Sequence, residues 1–146
     1  TYYLLDFTVA GRVQAVRELS PRLREFGINR LIVDTCVLDL ASMGEAMFAM
    51  HGIKHEFGLP VGGGVHNAVA MWKGLTTKMG KQAKAPCLAS ACAAAAAVGA
   101  DFLLYGPVEA APSVFPPVAM VETALRQIAI ERGQKPAKDH PRYRIG

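Results

Sequence analysis

The residues best placed to do chemistry stand in three short stretches. One is Asp34, followed by Thr35. The second is Gly62-Gly63-Gly64-Val65-His66-Asn67. The third is Glu109, at the end of Gly106-Pro107-Val108-Glu109. Each follows a run of large apolar residues: Leu31 to Val33, Leu59 to Val61, and Phe102 to Tyr105. An ionised aspartate only accepts hydrogen bonds, so Asp34 suits a ligand edge that presents two N–H groups, such as an aminopyrimidinone; it can equally cap the next turn. Asn67 carries a donor and an acceptor, so it can follow a ring nitrogen through a change of protonation. On residue type alone, the plainer role for it is N-cap of the following helix. His66 could act as a general base, a ligand, or a spacer beside Asn67. Glu109 could hold a ligand or brace its loop. The glycines allow close backbone approach to a flat ligand, with Gly64 lining it, or a tight turn. They lack the spacing of a dinucleotide fingerprint and the lysine of a P-loop.

These residues need elements that bring them together. Tyr2 to Phe7 reads as a strand, and Thr8 can cap the helix after it. There Val9, Val13 and Val16 recur at helical spacing, with Arg12, Arg17 and Glu18 turned outward. Ser20-Pro21 fits a second helix start and Gly27 a C-cap. The aliphatic run ending at Val33 suits a strand buried on both faces. Met43, Met47, Met50 and Phe57 then form a helical stripe that belongs in a core, ended by Gly58. Leu59 to Val61 is a strand leading into the glycine turn, and helical spacing resumes at Val69 and Trp72. Lys73 to Lys84 reads as loop or frayed helix. Pro86 to Val98 is an alanine-rich helix closed by Gly99, whose small face permits close packing on a sheet or a second subunit. Phe102 to Tyr105 is a strand. Pro116 opens the last helix, with Val118, Val121, Leu125 and Ile128 on its buried face and Gly133 after it.

Strands alternating with helices imply parallel βα units, and parallel strands all end on one rim. Asp34, His66 with Asn67, and Glu109 follow three successive strands, so they should converge there. About four units are few for an open doubly wound sheet or for a closed (β/α)₈ barrel of roughly 250 residues. The expected fold is α/β, the C-terminal half of a (β/α)₈ barrel over residues 1–132, with a basic C-terminal tail at 133–146. An unrelated open α/β enzyme is the rival architecture.

A chain that is 51% hydrophobic and 19% charged folds as a globule with a real core. Its net charge of +4 rests mostly on the segment after Arg132, so the body is nearly neutral. A short basic tail with a single aromatic, Tyr143, does not make a nucleic-acid surface. No apolar run is long enough to span a bilayer. The chain starts with Thr1, so it is expected to be processed, trimmed, or part of something longer. Cys36, Cys87 and Cys92 form no metal-type pair and read as small apolar packers. Their odd count suits a reducing compartment, hence the cytoplasm.

Three stretches together carry a resemblance: Val33-Asp34-Thr35, the run from Gly58 to Asn67 with its Gly-Val-His-Asn, and Ala100-Asp101-Phe102-Leu103-Leu104-Tyr105-Gly106-Pro107-Val108-Glu109. The last leads into Val114-Phe115-Pro116-Pro117-Val118-Ala119-Met120-Val121. In this order they resemble the C-terminal half of the H-subunit family of tetrahydromethanopterin S-methyltransferase, with its bacterial methyltetrahydrofolate relatives. The resemblance implies a pterin-binding barrel. The implied reaction moves a methyl group between N5 of a tetrahydropterin, of the methanopterin or folate type, and the cobalt of a corrinoid on a partner protein. It implies that Asn67 hydrogen-bonds near N5 and acts in catalysis, and that Asp34 holds the pterin's N–H edge. Gly64, His66 and Glu109 match recurrent positions at the substrate, and no protein metal ligand is implied. A homodimer is expected, with peripheral association to a membrane complex open. Acidic residues that hold the pterin on the family's earlier strands are absent from this chain. The alternative is a non-catalytic assembly or binding piece with an incomplete site.

Overall fold

The computed structural model of the chain describes residues 6–145. Its helices are α1 (Val9–Glu25), α2 (Leu40–Phe57), α3 (His66–Ala70), α4 (Lys84–Ala97), α5 (Ala111–Glu131) and α6 (Arg142–Ile145). Its strands are β1 (Val33–Asp34), β2 (Val61–Gly63) and β3 (Phe102–Leu103). They form one parallel sheet in the order β1-β2-β3, with Asp34 opposite Gly62 and Gly63 opposite Leu103. The ladder continues past the strand ends, through Thr35 N–H to the Gly62 carbonyl and Leu104 N–H to the Gly63 carbonyl. Successive strands are neighbours, and helices α2 and α4 make the crossovers. This is the α/β arrangement expected.

The core lies between sheet and helices. Ala46, Ala49, Met50 and Ile53 of α2, Val61 and Val65 around β2, Ala91, Cys92 and Ala95 of α4, and Val114 of α5 are fully or nearly fully buried. The methionine stripe is core, with Met50 buried and Met43 packed against it. The small side chains of α4 let α5 pack closely on it. Thr8 caps α1 as expected, its Oγ1 accepting from Gly11 N–H at 3.1 Å. Gly58 ends α2 in the left-handed region at φ +63°, where a side chain would be strained.

Several expectations change. The strand expected from Tyr2 to Phe7 falls largely outside the described residues, and Asp6 and Phe7 are not strand. Pro21 starts no second helix, because α1 runs through it. A proline there forfeits one helical hydrogen bond. Arg12, Val16 and Ser20, buried at four-residue intervals, anchor the helix up to the residue before it. Arg12, expected outward, is therefore inside. Likewise α5 opens at Ala111, and Pro116 and Pro117 lie within it. Leu125 and Ile128 on α5 are exposed. Lys73 to Lys84 contains a π-helical turn (Leu75–Met79) and a 3₁₀ turn (Lys81–Ala83). After Gly133 the chain returns to α5, where the Arg142 guanidinium donates to the Gln127 amide oxygen.

The largest change concerns the glycines. Gly62 and Gly63 are not a turn after the strand; they are the central strand itself. A Cβ on Gly62 would run into the Phe102 carbonyl, and one on Gly63 would stand 3.1 Å from Asp34 Oδ1 and 3.3 Å from Met50 Cε. What approaches these backbones closely is the neighbouring strand and its side chains.

Candidate functional site

Because the strands are parallel, Asp34, the Gly64–Asn67 turn and the loop after β3 lie on the same rim of the sheet. Asp34 ends β1. Its Oδ1 accepts from Cys36 N–H at 2.7 Å, so the turn-capping role is realised by one oxygen. Among the described residues Oδ2 has no partner. The turn it closes is tight: Cys36 sits at φ +61°, the one positive φ on a non-glycine among the described residues.

Asn67 is the second residue of α3, whose N-cap position is Val65. The helix-cap role is thus not realised. Asn67 Nδ2 instead donates to the Val37 carbonyl at 2.9 Å, crossing from the β2 rim to the loop after β1. A carbonyl can only accept, so this contact fixes which end of the amide faces it. Oδ1 is left as the free acceptor among the described residues. Gly64 lies against this pair. A Cβ there would stand 3.3 Å from Asn67 Nδ2 and 3.6 Å from His66 Cε1, so any side chain at 64 would press on the amide.

His66 ties β2 to β3. Its Nδ1 lies 2.8 Å from the Leu104 carbonyl, so Nδ1 carries the proton and donates. In the neutral ring Nε2 is then the acceptor. Gly106, at φ +94°, packs on the imidazole, and a Cβ there would touch its ring carbons at 3.4 to 3.5 Å. Glu109 stands in a 3₁₀ turn (Val108–Ala110) after β3 and is exposed. The brace considered for it is not seen, since it has no side-chain partner among the described residues. The structure therefore brings Gly64, His66 and Asn67 together, sets Asp34 at the neighbouring strand end, and leaves Glu109 at the edge.

Sequence reasoning missed Arg12. Only 7% of its surface is exposed. Its Nε donates to the Thr35 carbonyl at 2.7 Å and its Nη2 to the Cys36 carbonyl at 3.2 Å. Thr35 is buried too, with Oγ1 donating to the Gly62 carbonyl at 3.3 Å. A signal existed: position 12 lies one turn from Val9 and one turn from Val16, on the face that meets the core.

A cavity of about 480 Å³ lies elsewhere, along the outer side of β3, lined by Phe102, Tyr105, Phe115, Val118 and Glu122 among others. It is not at the rim. Among the described residues no three His, Cys, Asp or Glu side chains group as metal ligands, and no helix is long and apolar enough to cross a membrane.

A parallel α/β sheet with an asparagine and an aspartate at adjacent strand ends belongs to the class of α/β proteins whose ligand sites lie at the strand C-termini. Comparison with known proteins narrows this. Residues 2–137 match the family model of the tetrahydromethanopterin S-methyltransferase MtrH subunit. The chain belongs to that family. It is 33% identical over 124 residues to the H subunit of tetrahydromethanopterin S-methyltransferase from Methanothermobacter thermautotrophicus, covering 83% of this chain and 40% of the relative. Against the corresponding protein of Methanosarcina mazei it is 36% identical over 146 residues, covering 94% and 45%. Against that of Methanocaldococcus jannaschii it is 35% identical over 157 residues, covering 94% and 49%. The chain spans less than half the length of each of these relatives.

Proposed function

We propose that this chain is the C-terminal half of a (β/α)₈ barrel that binds a methylated tetrahydropterin. The protein containing it moves a methyl group between N5 of the pterin and the cobalt of a corrinoid carried by a partner protein. The names of the relatives support tetrahydromethanopterin as the pterin, with tetrahydrofolate the alternative. The observation that carries the reading is the Asn67 amide. Its Nδ2 is committed to the Val37 carbonyl, which leaves Oδ1 to meet the pterin. Asp34 Oδ2 offers an acceptor for the pterin's N–H edge, and Gly64 leaves room for a flat ring beside the amide. His66 braces β2 against the segment after β3, and Glu109 lines the outer side.

An amine is a poor leaving group until its nitrogen gains positive character. An acceptor facing N5 favours the protonated nitrogen over the neutral one, and so favours the form that releases the methyl group. Assistance of this kind is worth about 10²–10⁴-fold, or roughly 3–5 kcal/mol of barrier. The corrinoid supplies the cobalt nucleophile. This chain's residues hold the pterin, orient N5 and stabilise its proton. The relatives are named as subunits, which supports a multi-subunit assembly; a homodimer and a cytoplasmic site of action complete the proposal.

The test uses the full-length protein. Asn67→Ala is expected to lower kcat for methyl transfer by about 10²–10⁴-fold while changing pterin affinity only a few-fold. Unchanged kcat would remove Asn67 from catalysis. Failure of the parent protein to bind either methyl-tetrahydropterin would favour the non-catalytic assembly reading.

A further inference from the structure

The loop after β1 is held in an unusual way. Three successive carbonyls, of Thr35, Cys36 and Val37, each accept from a side chain of another element. Arg12 of α1 holds the first two, through Nε at 2.7 Å and Nη2 at 3.2 Å. Asn67 of α3 holds the third at 2.9 Å. Between them Cys36 adopts φ +61°, and its N–H is taken by Asp34 Oδ1 at 2.7 Å. A non-glycine residue in this region is strained and persists only where its surroundings over-determine it. Here they do: two donors from a buried guanidinium pull on both sides of the strained residue, and a carboxylate holds its N–H.

The arginine is not there for packing alone. Burying a guanidinium is unfavourable unless it is hydrogen-bonded, and an apolar side chain would fill the space at less cost. The Phe7 ring, 5.4 Å from Cζ, covers one face of the group. Its fork geometry matches two adjacent carbonyls, which a lysine ammonium cannot do.

We infer that Arg12 is a positioning residue for the pterin site. It fixes the strained Cys36 turn, and the turn in turn fixes the Asp34 carboxylate on one side and the Val37 carbonyl that orients the Asn67 amide on the other. The inference rests on the pterin reading for its consequence and on the clamp geometry for its cause. Asp34 belongs to binding and Asn67 to turnover. A group upstream of both moves KM and kcat together, whereas substitution of either one moves mainly its own constant.

The experiment uses the full-length protein and Arg12→Lys, which keeps the charge and loses the fork. Three quantities are read: hydrogen exchange at the Cys36 amide without substrate, KM for the methyl-tetrahydropterin, and kcat. Exchange is expected to quicken about tenfold, KM to rise and kcat to fall by about tenfold each, the size set by losing a charged hydrogen bond. The second measurement repeats Arg12→Lys in a Cys36→Gly background, where φ +61° carries no strain. There the cost of Arg12→Lys should shrink to about threefold or less, a coupling that a purely structural arginine would not produce. Unchanged exchange and kinetics overturn the inference, and so does an undiminished cost in the glycine background. Should Arg12→Lys fail to fold, the double variant decides: folded with near-parental constants it supports the clamp, unfolded it overturns it. A parent protein without pterin turnover, whose Cys36 exchange still quickens with Arg12→Lys, sinks the pterin reading and supports the clamp.

Discussion

Cys36 and Cys92 are the same residue type in opposite settings. Cys36 is exposed on the strained turn at the rim, and Cys92 is buried in α4 against the core. Burial disfavours the charged thiolate and pushes the Cys92 thiol up to about 11. At pH 8 a thiol of that kind is thiolate in about one molecule per thousand, and the thiolate is the form that alkylates. Brief treatment of the folded protein with iodoacetamide at pH 8 is expected to label Cys36 and leave Cys92 unlabelled until denaturant is added. Peptide mass analysis reads both sites. Labelling of Cys92 at the rate of Cys36 would mean that α4 is not packed as described. Sequence reasoning treated all three cysteines as small apolar packers, which holds for Cys92 and not for Cys36. Residue type alone does not say which side of a strand end a cysteine will face.

At the scale of elements, two glycines make a contrast. Gly62 is in the central strand, where a Cβ would run into the Phe102 carbonyl of β3. Gly44 is in α2 with nothing within 4 Å of a built Cβ. Gly62→Ala must part β2 from β3, and is expected to cost about 3 kcal/mol or more, as overpacking at a rigid backbone does. Gly44→Ala is expected to stabilise by about 0.4–1 kcal/mol, since it removes freedom only from the unfolded chain. Urea unfolding of both variants checks the pair, and a neutral Gly62→Ala would contradict the strand register. The triple glycine was legible as a place of close approach, but what approaches was not: β2 is three residues long, too short for alternation to reveal a strand. The order of strands and helices, the Thr8 cap and the Gly58 terminus could be read because each rests on local rules of spacing or φ. Pro21, Pro116 and Pro117 misled for a different reason. A proline's lost hydrogen bond is a local cost, and the packing of α1 and α5 on their neighbours outweighs it. Topology was enough to place Asp34 and Asn67 on one rim, while Arg12 was hidden because a charged residue on an apolar stripe invites the outward reading.

At the scale of the whole molecule, the helix-facing side of the sheet is covered, while the other side leaves apolar side chains exposed among the described residues. Val33 packs on the core while its neighbour Ile32 is 70% exposed; Leu103 packs on the core while Leu104 is 51% exposed. Side chains along a strand alternate between faces, so Ile32 and Leu104 belong to the side away from the helices. In an open sheet such a face would meet water, and apolar residues on it would be a liability. In a closed barrel it is the interior, filled by layers of branched side chains. The two architectures therefore assign opposite costs to one substitution in the full-length protein. Ile32→Asp on a solvent-exposed face should change stability by no more than about 0.5 kcal/mol. Inside a barrel it places a carboxylate among apolar side chains and should cost about 3 kcal/mol or more, or leave the protein unfolded. The proposed barrel requires the second result, read as a drop in the urea midpoint at constant slope. A full-length Ile32→Asp protein as stable as its parent would open the sheet and return the chain to the open α/β class.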